Sequence, residues 1–179
     1  MTPHTQPGLF DGHDHANFPA PLAPLANLPL PLDTIILLDL NYTLVANSWL
    51  KRKEPGPYRW QISRETYRTW LIDLIAPHTV LLVTVRGQEY RQTTLAHIQD
   101  LTGWQPDVAY FNPTPAIYNG DIIKRRYLLD HIFPSFGCDR PYLAVESYIP
   151  ARRMYQTEFA IPALTAHPLP QTRPPPPPP

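Results

Sequence analysis

Short apolar runs alternate along this chain with longer segments in which apolar residues recur at helical spacing. Four of the runs predict strands: Thr34–Leu40, Thr79–Val85, Val108–Phe111 and Tyr142–Val145. A run of about four to eight apolar residues without alternation is typical of a strand that is covered on both faces, as in a parallel sheet.

The segments between these runs predict helices: Ser63–Ile75, Gln88–Thr102, Gly120–Phe133 and Pro150–Thr157. A capping box is predicted at Ser63–Thr66. Pro77, Gly103 and Pro134 are predicted to end the first three helices. Strands that alternate with helices of this length predict right-handed crossovers and a Rossmann-like α/β fold, in which a parallel sheet carries helices on both faces.

Proline residues crowd both ends of the chain, which has 25 prolines among 179 residues. Because proline fixes φ and lacks a backbone donor, residues 1–33 and 166–179 are predicted to be extended, disordered tails. Residues 34–165 are then predicted to form one folded domain. The terminal run Pro174–Pro179 favours polyproline II, which either stays solvated or docks on an aromatic groove of a partner domain.

Composition argues against a disulfide-rich protein and a membrane-spanning one, but it does not indicate a binding partner. The formal net charge is zero, and a single cysteine, Cys138, excludes a disulfide framework. No run approaches the about 18 apolar residues of a membrane span, and the N-terminus lacks a basic start followed by an apolar stretch. A cytoplasmic protein is expected, and global charge gives no argument for a nucleic-acid partner.

Polar residues lie where the predicted strands end. Asp39 ends the first strand and Glu146 follows the last, while Thr84 and Arg86 end the second. In open α/β sheets ligands bind outside the carboxyl ends of the strands, so these side chains are candidates for one site. Considered alone, Asp39 either caps the following turn or carries chemistry.

Four short motifs resemble those of the haloacid-dehalogenase-like hydrolases. They are Asp-x-Asn-x-Thr-Leu at 39–44, Val83–Gly87, Lys124 within a predicted helix, and Leu143–Ser147. Within that family the chain looks most similar to the 3′-phosphatase domain of phage-type polynucleotide kinase. This similarity rests on Thr-x-Arg-Gly at 84–87, on Lys124 followed by 130–136, and on Glu-Ser at 146–147 followed by 151–155.

The resemblance implies a Mg²⁺-dependent, capless phosphatase that acts through an aspartyl-phosphate on a phosphomonoester such as a polynucleotide 3′-phosphate end. It implies that Asp39 is the nucleophile and that Mg²⁺ is held by Asp39, the main-chain carbonyl of Asn41 and Glu146. The phosphate-binding residues would be Thr84, Arg86 and Lys124. Lys124 would also face Asp39 as a catalytic residue. An uncapped site suits a substrate carried on a nucleic acid or a protein.

Two positions depart from the family pattern. Asn41 stands where phosphatases usually have the aspartate that protonates the leaving oxygen and then activates water, and Ser147 stands where many members have a second acid. An amide cannot exchange a proton near neutral pH, and general acid–base catalysis contributes about 10²–10⁴-fold. Asn41 therefore predicts a slow phosphatase, an enzyme whose leaving group needs no proton, or a protein that only binds a phosphorylated ligand or a partner protein.

Basic residues and aromatic rings are interleaved directly after the first motif. The basic residues are Lys51, Arg52, Lys53, Arg59, Arg64 and Arg68. Tyr58, Trp60 and Tyr67 lie between or beside them. Such a segment either contacts single-stranded nucleic acid, through Lys51–Arg59, or forms a loop and an amphipathic helix whose rings pack inward. For Tyr67 and Trp70 we expect inward packing.

Overall fold

The computed structural model describes residues 30–53, 56–114 and 119–166. The predictions of disordered tails at 1–33 and 166–179, and of a docking polyproline run, therefore lie outside the described residues except at the inner end of each tail. Among the described helices, none is long and apolar enough to cross a membrane.

In the described residues five parallel strands form one sheet: β1 Ile35–Leu38, β2 Thr79–Gly87, β3 Val108–Asn112, β4 Tyr142–Val145 and β5 Ala163–Leu164. Their order across the sheet is β3-β2-β1-β4-β5, and each neighbouring pair is parallel. The predicted Rossmann-like α/β class is confirmed. The sequence did not predict β5, because two apolar residues beside a proline are too few to form a pattern.

The helices among the described residues are α1 Leu50–Lys53, α2 Tyr58–Ile62, α3 Thr69–Ile75, α4 Arg91–Thr102, α5 Gly120–Tyr127, α6 Phe133–Phe136 and α7 Ile149–Glu158. Further helical turns lie at Gln88–Tyr90 and Leu128–Ile132, and Leu40–Leu44 forms a tight turn with non-helical residues inside it. Between β1 and β2 the described chain forms the turn at Leu40–Leu44 and the short helices α1 to α3.

Helices cover both faces of the sheet, as predicted, because the side chains of β1 alternate between two cores. Ile36 and Leu38 pack on one face with residues of α3 and α4, including Leu71 and Ile98. On the other face lie Ile35 and Leu37, with Ile123 and Tyr127 of α5 and Met154 and Tyr155 of α7. A central strand that is apolar on both faces thus explains the continuous apolar run that precedes Asp39.

The predicted helix Ser63–Ile75 is wrong in its first half. The chain is helical in α2 and α3, but the residues between them are not. There the Thr66 amide donates to Asn47 Oδ1 at 2.9 Å, and Tyr67 forms an isolated antiparallel bridge with Val45. These bonds to the segment after β1 replace the expected capping box, and no local pattern could reveal them.

The helix that carries Lys124 runs further than predicted. α5 continues through Leu128–Ile132 into α6, and Pro134 lies in the first turn of α6 rather than ending the helix. Proline removes one backbone donor from such a continuous run, and the wider π-helical turn Leu128–Ile132 lies directly before it. Gly137 ends the helix with φ 89°, a positive value that favours glycine.

Candidate active site

Asp39 and Glu146 leave the sheet side by side. β1 and β4 pair in parallel with Leu38 opposite Val145, so the next residue of each strand lies at the same carboxyl edge. The Asp39 amide still donates to the Val145 carbonyl at 2.9 Å. This is the edge at which open α/β sheets bind ligands.

The chain turns sharply after Asp39. Asn41 stays extended, whereas Tyr42 takes φ 61°, a conformation that costs a non-glycine residue about 1–3 kcal/mol and persists only where the surroundings impose it. The Tyr42 amide donates to Ser48 Oγ at 2.7 Å. The turn returns Thr43 to the start of the loop, where its hydroxyl donates to Asp39 Oδ2 at 2.8 Å. The candidate nucleophile is therefore held by its own loop.

Asp39, Lys124 and Glu146 form a buried charged group, here called the inner cluster. Lys124 Nζ donates to Asp39 Oδ1 at 2.7 Å and also to Glu146 Oε2. Glu146 Oε1 accepts from the Tyr148 amide at 2.8 Å. None of the three charged residues is more than 7% exposed. The structure thus brings together three of the residues that the sequence motifs single out.

The packing of α5 explains how a lysine enters the interior. Ile123 and Tyr127 are buried against the sheet, and Lys124 lies on the same side of the helix. At 2% exposure Lys124 belongs to the buried stripe of this helix. Burial of an ammonium is costly unless it is paired, and here two carboxylates meet it.

One ammonium shared by two carboxylates shifts the pKa values in the inner cluster. Burial alone would lower the pKa of Lys124, but Asp39 and Glu146 raise it above its ordinary value. Burial and the charge of Asp39 raise the pKa of Glu146 to about 7, although Lys124 opposes this shift. The cluster has one more carboxylate than it has cations, an imbalance that suits a bound cation.

Oxygen atoms around Ser147 mark a place where a hard cation fits. Ser147 Oγ lies 3.1 Å from the Asn41 carbonyl oxygen and 3.4 Å from Asp39 Oδ2, so both acceptors face one point. Mg²⁺ prefers oxygen ligands and typically keeps several waters beside one or two carboxylates. Among the described residues no group of three or more His, Cys, Asp and Glu side chains could hold a metal. The oxygen ligands that a hydrated Mg²⁺ would take here are those of Asp39 and the Asn41 carbonyl, with water completing the shell.

Asn41, Lys51, Glu65 and Arg86 form a second charged group, here called the outer cluster. Glu65 Oε1 accepts from Lys51 Nζ and from Arg86 Nη2, each at 2.5 Å. Asn41 Oδ1 accepts from the same two nitrogens, each at 3.0 Å. Glu65 and Arg86 are buried, whereas the Lys51 side chain is 19% exposed. Two cations therefore share one carboxylate and one neutral amide.

Thr84 and Arg86, the other predicted phosphate-binding residues, lie in or beside the outer cluster. Arg86 Nη1 also donates to Glu65 Oε2 at 3.1 Å and to Thr94 Oγ1 at 2.8 Å. Arg86 Nε is buried without a hydrogen-bond partner among the described residues, so this guanidinium has one donor left. The buried Thr84 hydroxyl accepts from the Arg86 amide at 3.1 Å. Their roles in phosphate binding stay predictions.

Charge also shifts the pKa values of the outer cluster. Burial alone would raise the pKa of Glu65, but Arg86 and Lys51 lower it below its ordinary value. Burial and the charge of Arg86 lower the pKa of Lys51, against the effect of Glu65. Sequence reasoning missed Glu65, which it assigned to a helix cap, and treated Ser147 only as an absent acid. An acid among many basic residues was the available signal for Glu65.

The fold and its carboxyl edge define a Rossmann-like α/β protein with a buried, charged candidate site. Solved structures of similar fold include a chain in the Pnkp1/Rnl/Hen1 RNA repair complex, with a TM-score of 0.58 and 16% identity over 74% of this chain and 42% of that one. A chain in another structure of the Pnkp1/Rnl/Hen1 complex has a TM-score of 0.59 and 17% identity over 74% of this chain and 45% of that one. No family model matches the chain, and no curated protein matches it. The chain spans less than half the length of these structural neighbours, and at this identity the likeness concerns the fold.

Proposed function

We propose that this protein is a Mg²⁺-dependent phosphomonoesterase that transfers a phosphoryl group to Asp39 and then to water. The observation that carries the proposal is the buried contact of Asp39 with Lys124, beside Glu146, at the edge of the sheet where ligands bind. A carboxylate attacks phosphorus well when the charge on the phosphoryl oxygens is neutralised.

The reaction would proceed in two displacements at phosphorus. An Asp39 oxygen attacks and the bond to the leaving oxygen breaks, which gives an aspartyl-phosphate. Water then attacks the same phosphorus, which releases phosphate and restores Asp39. When bound, Mg²⁺ would supply neutralisation of the phosphoryl charge, held by Asp39, the Asn41 carbonyl and Glu146. Lys124 holds the Asp39 carboxylate in position throughout.

Phosphate binding is assigned to Thr84, Arg86 and Lys124. The outer cluster supports this assignment, because two cations against one carboxylate leave one positive charge beside Asn41. The unpartnered Nε of Arg86 offers a further donor, as judged within the described residues.

Asn41 is expected to limit the turnover rate of this enzyme. The leaving oxygen departs with an electron pair and needs a proton, which an amide cannot give near neutral pH. Asn41 Oδ1 faces Lys51 and Arg86, so its amide N–H groups point away from those cations and serve as hydrogen-bond donors only. We therefore expect slow turnover unless the leaving group departs readily.

The substrate that we propose is a 3′-phosphate at the end of a polynucleotide. Only short helices lie between β1 and β2 in the described residues, which leaves the site accessible to a large substrate. The fold similarity to a chain in an RNA repair complex supports a nucleic-acid end over a small metabolite.

A protein that binds a phosphorylated ligand without turning it over is the second candidate. Asn41 favours it, because the residue that would cycle the proton is absent. The inner cluster favours the enzyme, because a site that only binds an anion has no need of two carboxylates beside it.

Turnover assays with and without Mg²⁺ separate the two candidates. An aryl phosphate, whose leaving group needs little protonation, and a 3′-phosphorylated oligonucleotide serve as substrates for wild type, Asp39→Asn and Asn41→Asp. We expect wild-type turnover of the aryl phosphate, lost on chelation and reduced at least about 10³-fold by Asp39→Asn. Asn41→Asp should raise turnover of the oligonucleotide more than that of the aryl phosphate.

The matched control is Asp73→Asn, which removes an exposed carboxylate of α3 and should change neither rate. Turnover that survives Asp39→Asn would contradict the assigned nucleophile. If wild type turns over neither substrate while Asn41→Asp gains activity, the natural protein is the binding protein of the second candidate.

A further inference from the structure

Three of the chain's four tryptophans lie within residues 47–70, and all three are exposed: Trp49 by 50%, Trp60 by 40% and Trp70 by 36%. The expected inward packing holds for Tyr67, which is 8% exposed, but is wrong for Trp70. Burial of a large aromatic ring stabilises a fold. Three exposed indoles within one segment therefore indicate a surface that meets a ligand.

Cations lie over two of these rings. Lys53 Nζ is 5.0 Å from the ring centroid of Trp49, and Arg64 Cζ is 4.7 Å from that of Trp60. Residues 47–70 contain six lysines and arginines and two glutamates, although the whole chain has no net charge. Among the described residues of this segment the acid is Glu65, which is buried. The described charges that this segment exposes are therefore positive.

A small pocket of about 20 Å³, roughly the room that one water molecule needs, lies between this surface and the outer cluster. Its lining includes the exposed Trp60 and Arg64 as well as Lys51 and the buried Glu65. Lys51 in turn donates to Asn41 Oδ1. A series of neighbouring residues thus leads from the exposed Trp60 through Lys51 to Asn41, two positions after Asp39.

We propose that Trp49, Lys53, Trp60 and Arg64, here called the tryptophan surface, bind an unpaired strand of nucleic acid whose phosphorylated end reaches Asp39. This inference rests on the proposed function for its orientation of the strand, but the binding surface is argued from residues outside the inner cluster.

The alternation of ring and cation favours an unpaired strand over other partners. Bases stack on aromatic rings while phosphates meet the cations, and both are available together in a single strand. In a duplex the faces of the bases are covered by their neighbours, so exposed indoles would find no stacking partner. Protein–protein interfaces are also enriched in tryptophan and arginine, but they are depleted in lysine, which this surface presents at Lys53.

Binding is tested with an oligonucleotide that ends in a 3′-hydroxyl, because it cannot be dephosphorylated. Fluorescence anisotropy of the labelled oligonucleotide, as a single strand and as a duplex, gives the affinity of the full chain. We expect the single strand to bind at least about ten-fold more tightly and to quench tryptophan fluorescence. Trp49→Ala and Trp60→Ala should each weaken its binding about 5- to 150-fold, whereas Trp60→Phe should retain most of it.

The cations have a separate signature in the dependence of affinity on salt. Lys53→Gln and Arg64→Gln should each reduce the slope of log affinity against log salt by about 0.7. Leu101→Ala, which removes a residue of α4 that is 54% exposed, and Arg125→Gln, which changes an arginine side chain of α5 that is 37% exposed, are the matched controls and should change neither affinity nor slope. Equal affinity for duplex and single strand, or binding that both tryptophan variants leave intact, would overturn the proposal.

Failure of the surface and failure of the phosphatase give different results. Asp39-dependent turnover of an aryl phosphate without tryptophan-dependent binding overturns the tryptophan surface and keeps the phosphatase. Tryptophan-dependent binding in a protein that turns over no phosphate overturns the phosphatase and keeps the surface. If both hold, Trp60→Ala should raise KM for a 3′-phosphorylated oligonucleotide more than KM for the aryl phosphate.

Discussion

The inner and outer clusters contain the same kinds of groups in opposite proportions. In the inner cluster one ammonium, that of Lys124, lies between the carboxylates of Asp39 and Glu146. In the outer cluster one carboxylate, that of Glu65, lies between the cations of Lys51 and Arg86. Each cluster therefore has one uncompensated formal charge, negative in the first and positive in the second.

This difference teaches which ligand each cluster suits. It supports the proposed assignment of a divalent cation to the inner cluster and of a phosphate to the outer cluster. Asn41 of the outer cluster borders the inner cluster, since its carbonyl accepts from Ser147, which also lies 3.4 Å from Asp39, while its Oδ1 faces the two cations. An aspartate at this position would cancel the excess positive charge of the outer cluster, so Asn41 gives up proton transfer while it preserves attraction for an anion.

The largest effect on stability is expected for Lys124→Gln, which leaves two buried carboxylates without their cation. Removal of one partner of a buried ion pair costs about 3–5 kcal/mol. Urea unfolding at pH 7 in the presence of a chelator measures this loss, and addition of Mg²⁺ should recover part of it. An unchanged unfolding midpoint would mean that the inner cluster is not held together by Lys124.

A somewhat smaller loss is expected for Glu65→Gln, which leaves two cations facing each other. We expect the free energy of unfolding to fall by about 3 kcal/mol, at the low end for buried pairs, because Lys51 is partly exposed and its charge is screened. Inorganic phosphate should restore stability here, whereas Mg²⁺ should not. Asn41→Asp in the same chain should compensate, since it returns one carboxylate to the outer cluster. Recovery of stability by Mg²⁺ instead of phosphate would contradict the opposite charge excess of the two clusters.

The pH dependence of stability should distinguish the inner cluster from the outer one, because the pKa of Glu146 is raised whereas that of Glu65 is lowered. The pKa of Glu146 is raised from 4.5 to about 7, so the folded protein keeps a proton that the unfolded chain releases in this range. The contribution of Glu146 to the stability of the chelator-treated protein is therefore fully present below about pH 4.5 and is lost as the pH rises through about 7, by on the order of 3 kcal/mol. Unfolding midpoints across this range, with Glu146→Gln as the control that abolishes the slope, check the sign.

The smallest effect is expected one residue beyond Lys124. Arg125 pairs with Glu158 on the surface, where both side chains are exposed and water screens the pair. Arg125→Gln should leave the unfolding midpoint unchanged within the error of the measurement. If Arg125→Gln lowered the stability as much as Lys124→Gln, the loss would depend on the location of the residue on α5 and not on its burial in a charged cluster.

Local sequence patterns were enough to predict the sheet and the position of the inner cluster at its carboxyl edge. Strands covered on both faces have continuous apolar runs, and the end of such a run fixes the edge at which the next residue lies. Asp39 and Glu146 could therefore be placed together before any contact was known. The motif resemblance singled out Lys124, but its full burial could not be predicted, because burial depends on the two carboxylates that face it.

The outer cluster could not be predicted in the same way. Lys51, Glu65 and Arg86 come from separate segments, and Glu65 has local neighbours that imitate a capping box. Its ion pairs with Lys51 and Arg86 draw residues 63–68 out of the predicted helix, together with the bond from the Thr66 amide to Asn47. Long-range polar contacts of this kind leave no periodic trace in the sequence.

The sequence by itself determined the class of fold, the edge of the sheet that carries the candidate site, and the absence of a proton donor at Asn41. These follow from side-chain chemistry and from periodicity, which act over a few neighbouring residues. Only the tertiary structure decided that two clusters of opposite excess charge meet at Asn41 and that Trp60 stays exposed beside Lys51. Charge balance and exposure depend on which distant segments come together, and packing alone settles that.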